Sequence, residues 1–225
     1  MADTDNISKN TVNIVDKDVE RRLLDVAEEL FCQKGFDGTS IRDITAKADC
    51  NVAAVNYHFG SKENLYLAIF KRHFSQLRDV HITAVERAMS EKADAVTLED
   101  LLKSFAIAFI EPLVGKNRTQ RFVTLMSREM LDPHLPPNLF YDEMMLPVQT
   151  VMQDALKKVC PGISDEDAVL SILSIVGQLI HIVRFTEFIK RGGVAAIPLE
   201  LNRLIEHTVN FSAAGIRAAV REKPD

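Results

Sequence analysis

The chain has 225 residues, 47% of them hydrophobic and 26% charged, and a net charge of -5 at pH 7. This is ordinary globular composition, rich enough for one large or two modest cores, so a disordered or fibrous chain is excluded. Net acidity excludes a globally basic protein but not a nucleic-acid partner, because phosphate contact needs one favourable face only.

Cys32, Cys50 and Cys160 are odd in number and form no CxxC pair. A zinc site or disulfide framework is therefore not expected, and a reducing cytoplasm fits. Residues 1–16 are polar, so no signal peptide is expected. The longest uncharged stretch, Ala168–Val183, is short for a membrane span and carries Gln178 and His181. It reads as a buried helix of a protein with no membrane partner.

In chain order, residues 1–16 read as a disordered arm. From Lys17, apolar residues Val19, Leu23, Val26, Ala27, Leu30 and Phe31 recur three and four apart, which predicts one helix face. Gly35 stops that helix and Asp37-Gly38 turns the chain. Ser40-x-x-Asp43 is a capping box for a short second helix presenting Ile41, Ile44 and Ala48. After Asp49-Cys50, Asn51 caps a third helix over Val52–His58, ended by Phe59-Gly60. Ser61 caps a long fourth helix to about Met89, with Leu65, Ile69, Phe70, Phe74, Leu77 and Val80 as its buried stripe.

Further helices are predicted from Thr97 to Val114 and from Asn117 to Leu131. His134-Leu135-Pro136-Pro137 cannot continue a helix. A helix over Asn138–Val159 is expected to kink at Pro147. Another, opened by Ser164-x-x-Asp167, runs to Arg191 and is stopped by Gly192-Gly193, and Pro198 starts the last, to Arg221. Nine helices and no strand give an all-α fold. Residues 17–64 would form a three-helix DNA-binding domain with a helix-turn-helix, and residues 65–225 a larger helical domain for ligand binding and dimerisation.

The informative stretch is Thr39–Lys62. Two short helices joined by a three-residue turn, with a third packed before them, form a helix-turn-helix arrangement. From Asn51 to Lys62 there is no Asp or Glu, although the flanking sequence has many. Ala53 and Ala54 are small enough to let a helix approach base edges. Asn56 can pair with an adenine edge, and Tyr57, His58 and Lys62 can reach phosphates.

At these residues the chain resembles the TetR family of repressors. The matching pattern is Ala27-x-x-Leu30-Phe31-x-x-x-Gly35-Phe36-x-x-Thr39-Ser40-Ile41-Arg42-Asp43-Ile44, followed by Val52-Ala53-Ala54-Val55-Asn56-Tyr57-His58-Phe59-Gly60-Ser61-Lys62-Glu63. One departure is Asp49, where most members have glycine. The resemblance implies that Thr39, Ser40 and Arg42 touch the DNA backbone or a base. It implies also that Val52, Ala53, Ala54 and Asn56 face bases, and that Tyr57, His58 and Lys62 hold phosphates. The remainder is similar to the CecR-type subgroup, carried partly by Ser127-Arg128-Glu129-Met130-Leu131-Asp132-Pro133.

For the rear domain, Phe105, Phe109, Met126, Met130, Met145, His181, Arg184 and Phe185 are candidates to line an effector cavity, since methionine and aromatics adapt to apolar ligands. Each taken singly is better explained by plain core packing. Ser171, Ser174 and Gly177, with Leu201, Leu204, Ile205, Thr208 and Ser212, form stripes that would let helices meet across a two-fold axis. Glu129, Asp132 and His134 match no common metal-ligand spacing, so no metal and no cofactor is expected. The implied activity is a cytoplasmic, homodimeric repressor that binds a near-palindromic double-stranded operator and is released by a small-molecule effector. No nucleophile–base pair, phosphate loop or paired carboxylates stand at a telling spacing, so an enzyme is not expected. The rival readings are an architectural DNA-binding protein and a DNA-binding head fused to an enzyme domain without a legible motif.

Overall fold

The structure, a computed structural model, describes residues 3–91, 95–114, 118–192 and 200–221. Nine α-helices occur among them: α1 (Asp3–Lys34), α2 (Ile41–Lys47), α3 (Val52–His58), α4 (Lys62–Glu91), α5 (Leu98–Val114), α6 (Arg118–Leu131), α7 (Leu146–Val159), α8 (Asp165–Gly192) and α9 (Leu201–Arg221). A π-helical turn, Tyr141–Met145, precedes α7, and no strand is found among the described residues. The expected helix start at Pro198 lies outside them.

The chain divides into two compact units, Met1–His73 with Asn117–Pro137, and Phe74–Lys116 with Asn138–Asp225. The sequence suggested one cut after residue 64. Instead the division falls within α4, and α6 groups with the N-terminal helices. The first helix begins at Asp3, where an arm was expected, and no proline or glycine interrupts residues 3–34.

In the first unit, α6 packs on α1, and both α1 and α2 meet α3. The core is Leu23, Ala27, Leu30, Phe31, Ile44, Val55, Leu65, Ile69 and Phe70, all buried. Tyr66 sits edge-on to Phe31 and Phe36, with centroids 4.9 and 5.0 Å away. Beside this core lies a charged cluster. Arg72 donates to Asp25 at 2.9 Å and to the buried Glu28 at 2.6 Å, and His73 approaches Glu28 at 3.2 Å. Burial pushes the Glu28 carboxyl up, but His73 and Arg72 outweigh it and hold the group below its ordinary range. The turn after α6 is pinned by Glu129, which accepts from the backbone N–H of His134 (2.6 Å) and Leu135 (2.7 Å) and from the Tyr66 hydroxyl (3.2 Å).

Local conformations follow the residues. Gly35 takes φ 78° just past α1, and a Cβ on Gly38 would overlap the Lys34 carbonyl oxygen. Asp49 has φ 50°, a left-handed conformation in which a short polar side chain is tolerated. That is the physical reason a glycine would suit the position.

In the second unit, α5, α8 and α9 pack together and α7 lies on α8. Residues 139–159 are helical without a break, and Pro147 sits in the first turn of α7, just after the π-helical turn. Proline has no N–H to give to the Glu143 carbonyl four residues back. Arg78 donates to that carbonyl instead, at 3.3 Å. α8 is not buried all round. It buries Ala168, Ile172, Ile175, Leu179 and Ile182 but exposes Leu170, Leu173, Ile180 and Phe185. Its segment Asp165–Phe185 is long and apolar enough to cross a membrane by length and composition. Here one stripe of it serves a helical core. Val80 of α4, expected in the buried stripe, is exposed, and His81 takes the buried place.

His81 is 2% exposed and stacks on Phe109 with centroids 5.3 Å apart. Burial pulls its pKa down from 6.5 to about 4, against a smaller opposing effect of the Ala108 carbonyl. The unfolded chain therefore takes up this proton below pH 6.5 while the folded chain does not until about pH 4. Stability should fall across that window as pH drops. Denaturant titrations at pH 7, 6, 5 and 4 should show a shallower fall for His81→Phe than for the parent. At the α2–α3 turn, Asp49→Val should lower stability by about 1–2 kcal/mol through left-handed backbone strain, whereas Asp49→Gly should keep or raise the melting temperature. Calorimetry of the two variants checks the sign.

Candidate nucleic-acid interface and effector cavity

α3 has only seven residues, and its orientation is set at two points. The Asn51 side chain accepts from the Ala54 N–H at 2.9 Å, which caps the helix, and Val55 is fully buried. With Val55 pointing inward, Val52, Ala53, Asn56 and Tyr57 are exposed on the rest of the surface, and Ala54 is half-buried. Tyr57 is 76% exposed. α2 is held by a reciprocal cap: the Asp43 N–H donates to Ser40 Oγ at 3.1 Å, and the Ser40 N–H donates to Asp43 at 3.3 Å. Ser40 and Arg42 are exposed, and the Ser40 hydroxyl also lies against the Asp43 carboxylate.

Two of the residues expected to meet DNA have other work, and Lys62 has a second role. Thr39 is 1% exposed, and its hydroxyl sits within hydrogen-bonding distance of the Gly35 carbonyl at 2.8 Å and the Leu30 carbonyl at 3.2 Å. It closes the C-terminal end of α1 and does not present itself outward. The His58 side chain is 9% exposed and faces Asp16 at 3.3 Å, so it ties the end of α3 to α1. Lys62 places its ammonium 4.1 Å from the centroid of the Phe36 ring, a cation–π contact, while staying half-buried. The pattern of residues alone could not separate inward from outward polar groups at these three positions.

Two carboxylates of the first unit are ion-paired. Asp43 faces Lys34 at 3.6 Å and is held below its ordinary range first by Ser40, and Glu29 pairs with Lys47 at 2.7 Å. α3 itself carries no acid.

The second unit contains a cavity of about 210 Å³ lined by His81, Phe105, Phe109, Phe140, Met144, Met145, Val148, Gln149, Ile172, Leu173, Val176 and Ile180. Of the expected cavity residues, Phe105, Phe109 and Met145 line it. His181, Arg184 and Phe185 are exposed on α8 and do not line it, and Met126 and Met130 belong to the first unit, where Met130 is exposed. His81 was missed, although the three- and four-residue spacing from Phe74 and Leu77 leads on to it. Phe140, just before the π-helical turn, was missed.

Of the stripes on the last two helices, Ile205 and Thr208 are buried within the chain, and Ser212 accepts from Gln178 at 3.4 Å. Ser212 thus serves the α8–α9 contact, and α9 packs on α5 as well. Ser174 and Gly177 are exposed, and Ser171, Leu201 and Leu204 are half-buried. Asp37, Asp132 and His134 bring ligand atoms within 4.8 Å of one another, but both carboxylates are largely exposed, a common surface arrangement. Glu129 is taken up by the turn it pins. The three cysteine thiols are free.

Comparison with known proteins agrees with this geometry. Residues 23–69 match the family described as bacterial regulatory proteins, tetR family, and residues 98–216 match the C-terminal domain of the HTH-type transcriptional dual regulator CecR. CecR of Shigella flexneri is 27% identical over 206 residues, covering 88% of this chain and 91% of that protein. The biofilm operon icaADBC negative transcriptional regulator IcaR of Staphylococcus aureus is 36% identical over 59 residues, 26% of this chain and 32% of its own. Among solved structures, a putative TetR-family regulator from Mesorhizobium loti superposes with a TM-score of 0.64 at 20% identity, covering 90% of this chain and 96% of that one. A putative transcriptional regulator from Pseudomonas aeruginosa gives 0.66 at 16% identity, covering 90% and 92%. These two share the fold. With more than half of its length matched by the CecR C-terminal domain and its helix-turn-helix matched separately, the chain belongs to the TetR family of bacterial transcriptional regulators, in the CecR-type branch.

Proposed function

We propose that this regulator works in the cytoplasm as a homodimeric repressor that sets one α3 per subunit into successive major grooves of a near-palindromic operator, and that a small molecule in the second-unit cavity releases it. The DNA reading rests on one observation above all: α3 buries Val55 and turns Val52, Ala53, Asn56 and Tyr57 outward with no acidic residue among them. The Asn56 amide suits the paired donor and acceptor of an adenine edge, and the small Ala53 leaves room for close approach. Ser40, Arg42, Tyr57 and the half-buried Lys62 supply phosphate contacts around it.

Dimerisation is supported by the apolar side chains that α8 and α9 leave uncovered. Ile180, Phe185 and Phe211 are exposed, and Gly177 and Gly215 have open space over their Cα atoms, so a second pair of helices can come close. This moves the proposed interface from Ile205, Thr208 and Ser212 to the neighbouring face of α9. Repression follows from occupying the operator. IcaR is named a negative regulator and CecR a dual regulator, so activation at some promoters is the alternative that reporter output in a deletion strain separates.

For release, lowering operator affinity a hundredfold requires the effector to prefer the non-binding state by about 2.7 kcal/mol. The route is α4, which carries Leu65, Ile69 and Phe70 in the first unit and His81 in the second.

Operator DNA selected from a random pool and tested by gel shift checks the contact assignment. Asn56→Ala should relax preference at particular base pairs by about 1–3 kcal/mol. Arg42→Ala should weaken all sequences alike and reduce the salt slope by about one. The opposite pattern reverses the two roles. Phe211→Glu should shift the protein from dimer to monomer in sedimentation and weaken operator binding with it. A variant that stays dimeric places the interface elsewhere.

A further inference from the structure

Both ring nitrogens of His81 are buried without a hydrogen-bond partner of normal geometry, and the ring lines the cavity. Buried side-chain polar atoms are nearly always paired in folded proteins, so an imidazole left this way in a native cavity calls for a partner. Among the lining side chains only His81 and Gln149 carry strong hydrogen-bonding groups. None is Asp, Glu, Lys or Arg, so an ion placed here would lose its hydration without an opposite charge. Phe105 and Phe109 lie 5.6 and 5.3 Å from the His81 ring, with Phe109 stacked at 10°. Stacking on Phe109 occupies a ring face and not the nitrogens. The Ala108 carbonyl nearby favours a proton on the nitrogen turned toward it, which leaves the other nitrogen as an acceptor.

Size narrows the class further. A dry apolar cavity of about 150 Å³ accommodates benzene. The 210 Å³ here has room for one ring with a small substituent, and not for a drug-sized polycycle.

We infer that the cavity takes a compact, uncharged, single-ring aromatic molecule bearing one hydroxyl, whose O–H donates to the free nitrogen of His81 while the ring packs among Phe105, Phe109 and Phe140. This rests on the reading of the cavity as the effector site.

The test uses the full chain and four probes of one size: p-cresol, toluene, benzoate and benzylammonium, with binding followed by calorimetry and operator binding by gel shift. p-Cresol should bind at least tenfold tighter than toluene, and the two ions should not bind at tenfold higher concentration. In His81→Phe, p-cresol should lose at least tenfold while toluene does not. Equal binding of p-cresol and toluene, binding of either ion as tight as p-cresol, or no binding of any probe by a parent protein that still holds its operator would overturn the ligand class. The parent panel decides this even if the variant does not fold. His81-dependent p-cresol binding that leaves operator affinity unchanged at saturation would support the ligand class and sink the effector reading instead.

Discussion

A helix of seven residues cannot sustain itself in water. Nucleation fixes several dihedrals for one hydrogen bond, and two turns return too few bonds to offset it. α2 and α3 are both of this length. Their existence depends on end caps from Ser40, Asp43 and Asn51 and on the burial of Ile44, Ala48 and Val55. The same few contacts fix the rotation of α3 about its own axis. A fully buried Val55 turns Asn56 and Tyr57, one and two residues further on, toward the outer surface, so the residue that stabilises the helix also aims it. This is why the head needs so large a surrounding core, with Phe31, Phe36 and Tyr66 stacked behind it and α6 laid along α1.

Much of this was legible in the sequence because caps and periodicity are local. Ser40-x-x-Asp43 and Asn51 located α2 and α3, and the spacing from Leu23 to Phe31 gave the inner face of α1. What escaped depends on contacts between residues distant in the chain. Thr39 and His58 are polar groups in a DNA-reading motif, and only the carbonyls of Leu30 and Gly35 and the carboxylate of Asp16 show that they point inward. The missing donor of Pro147 was visible, whereas the Arg78 guanidinium that takes up the Glu143 carbonyl was not. α8 read as buried because its uncharged stretch is short for a membrane span and carries Gln178 and His181. Such a helix can equally bury one stripe and offer another to a second subunit.

Electrostatics reconciles an acidic protein with a polyanionic partner. A net charge of -5 repels phosphate only weakly beyond a Debye length of about 8 Å at physiological salt, so the local arrangement decides. Several acids of the first unit have structural tasks: Asp16 meets His58, Glu29 meets Lys47, and Asp43 caps α2 and faces Lys34. Each such pairing offsets a charge that would otherwise repel phosphate. Lys62 against Phe36 shows the complementary economy, holding a cation beside that face in a defined position.

The division of the chain within α4 bears on how a bound molecule could be felt at the operator. Leu65, Ile69 and Phe70 fix the first turns of α4 in one close-packed core, and Phe74, His81 and Val85 fix the later turns in another. Packed cores do not deform smoothly; they shift between discrete arrangements, so a helix shared by two of them couples their states. His81 stands on that helix against the cavity, with one nitrogen turned toward the Ala108 carbonyl. A ligand that gave the other nitrogen a hydrogen bond would favour one position of α4 over others, and only such a difference between states, not tight binding alone, would change affinity for DNA.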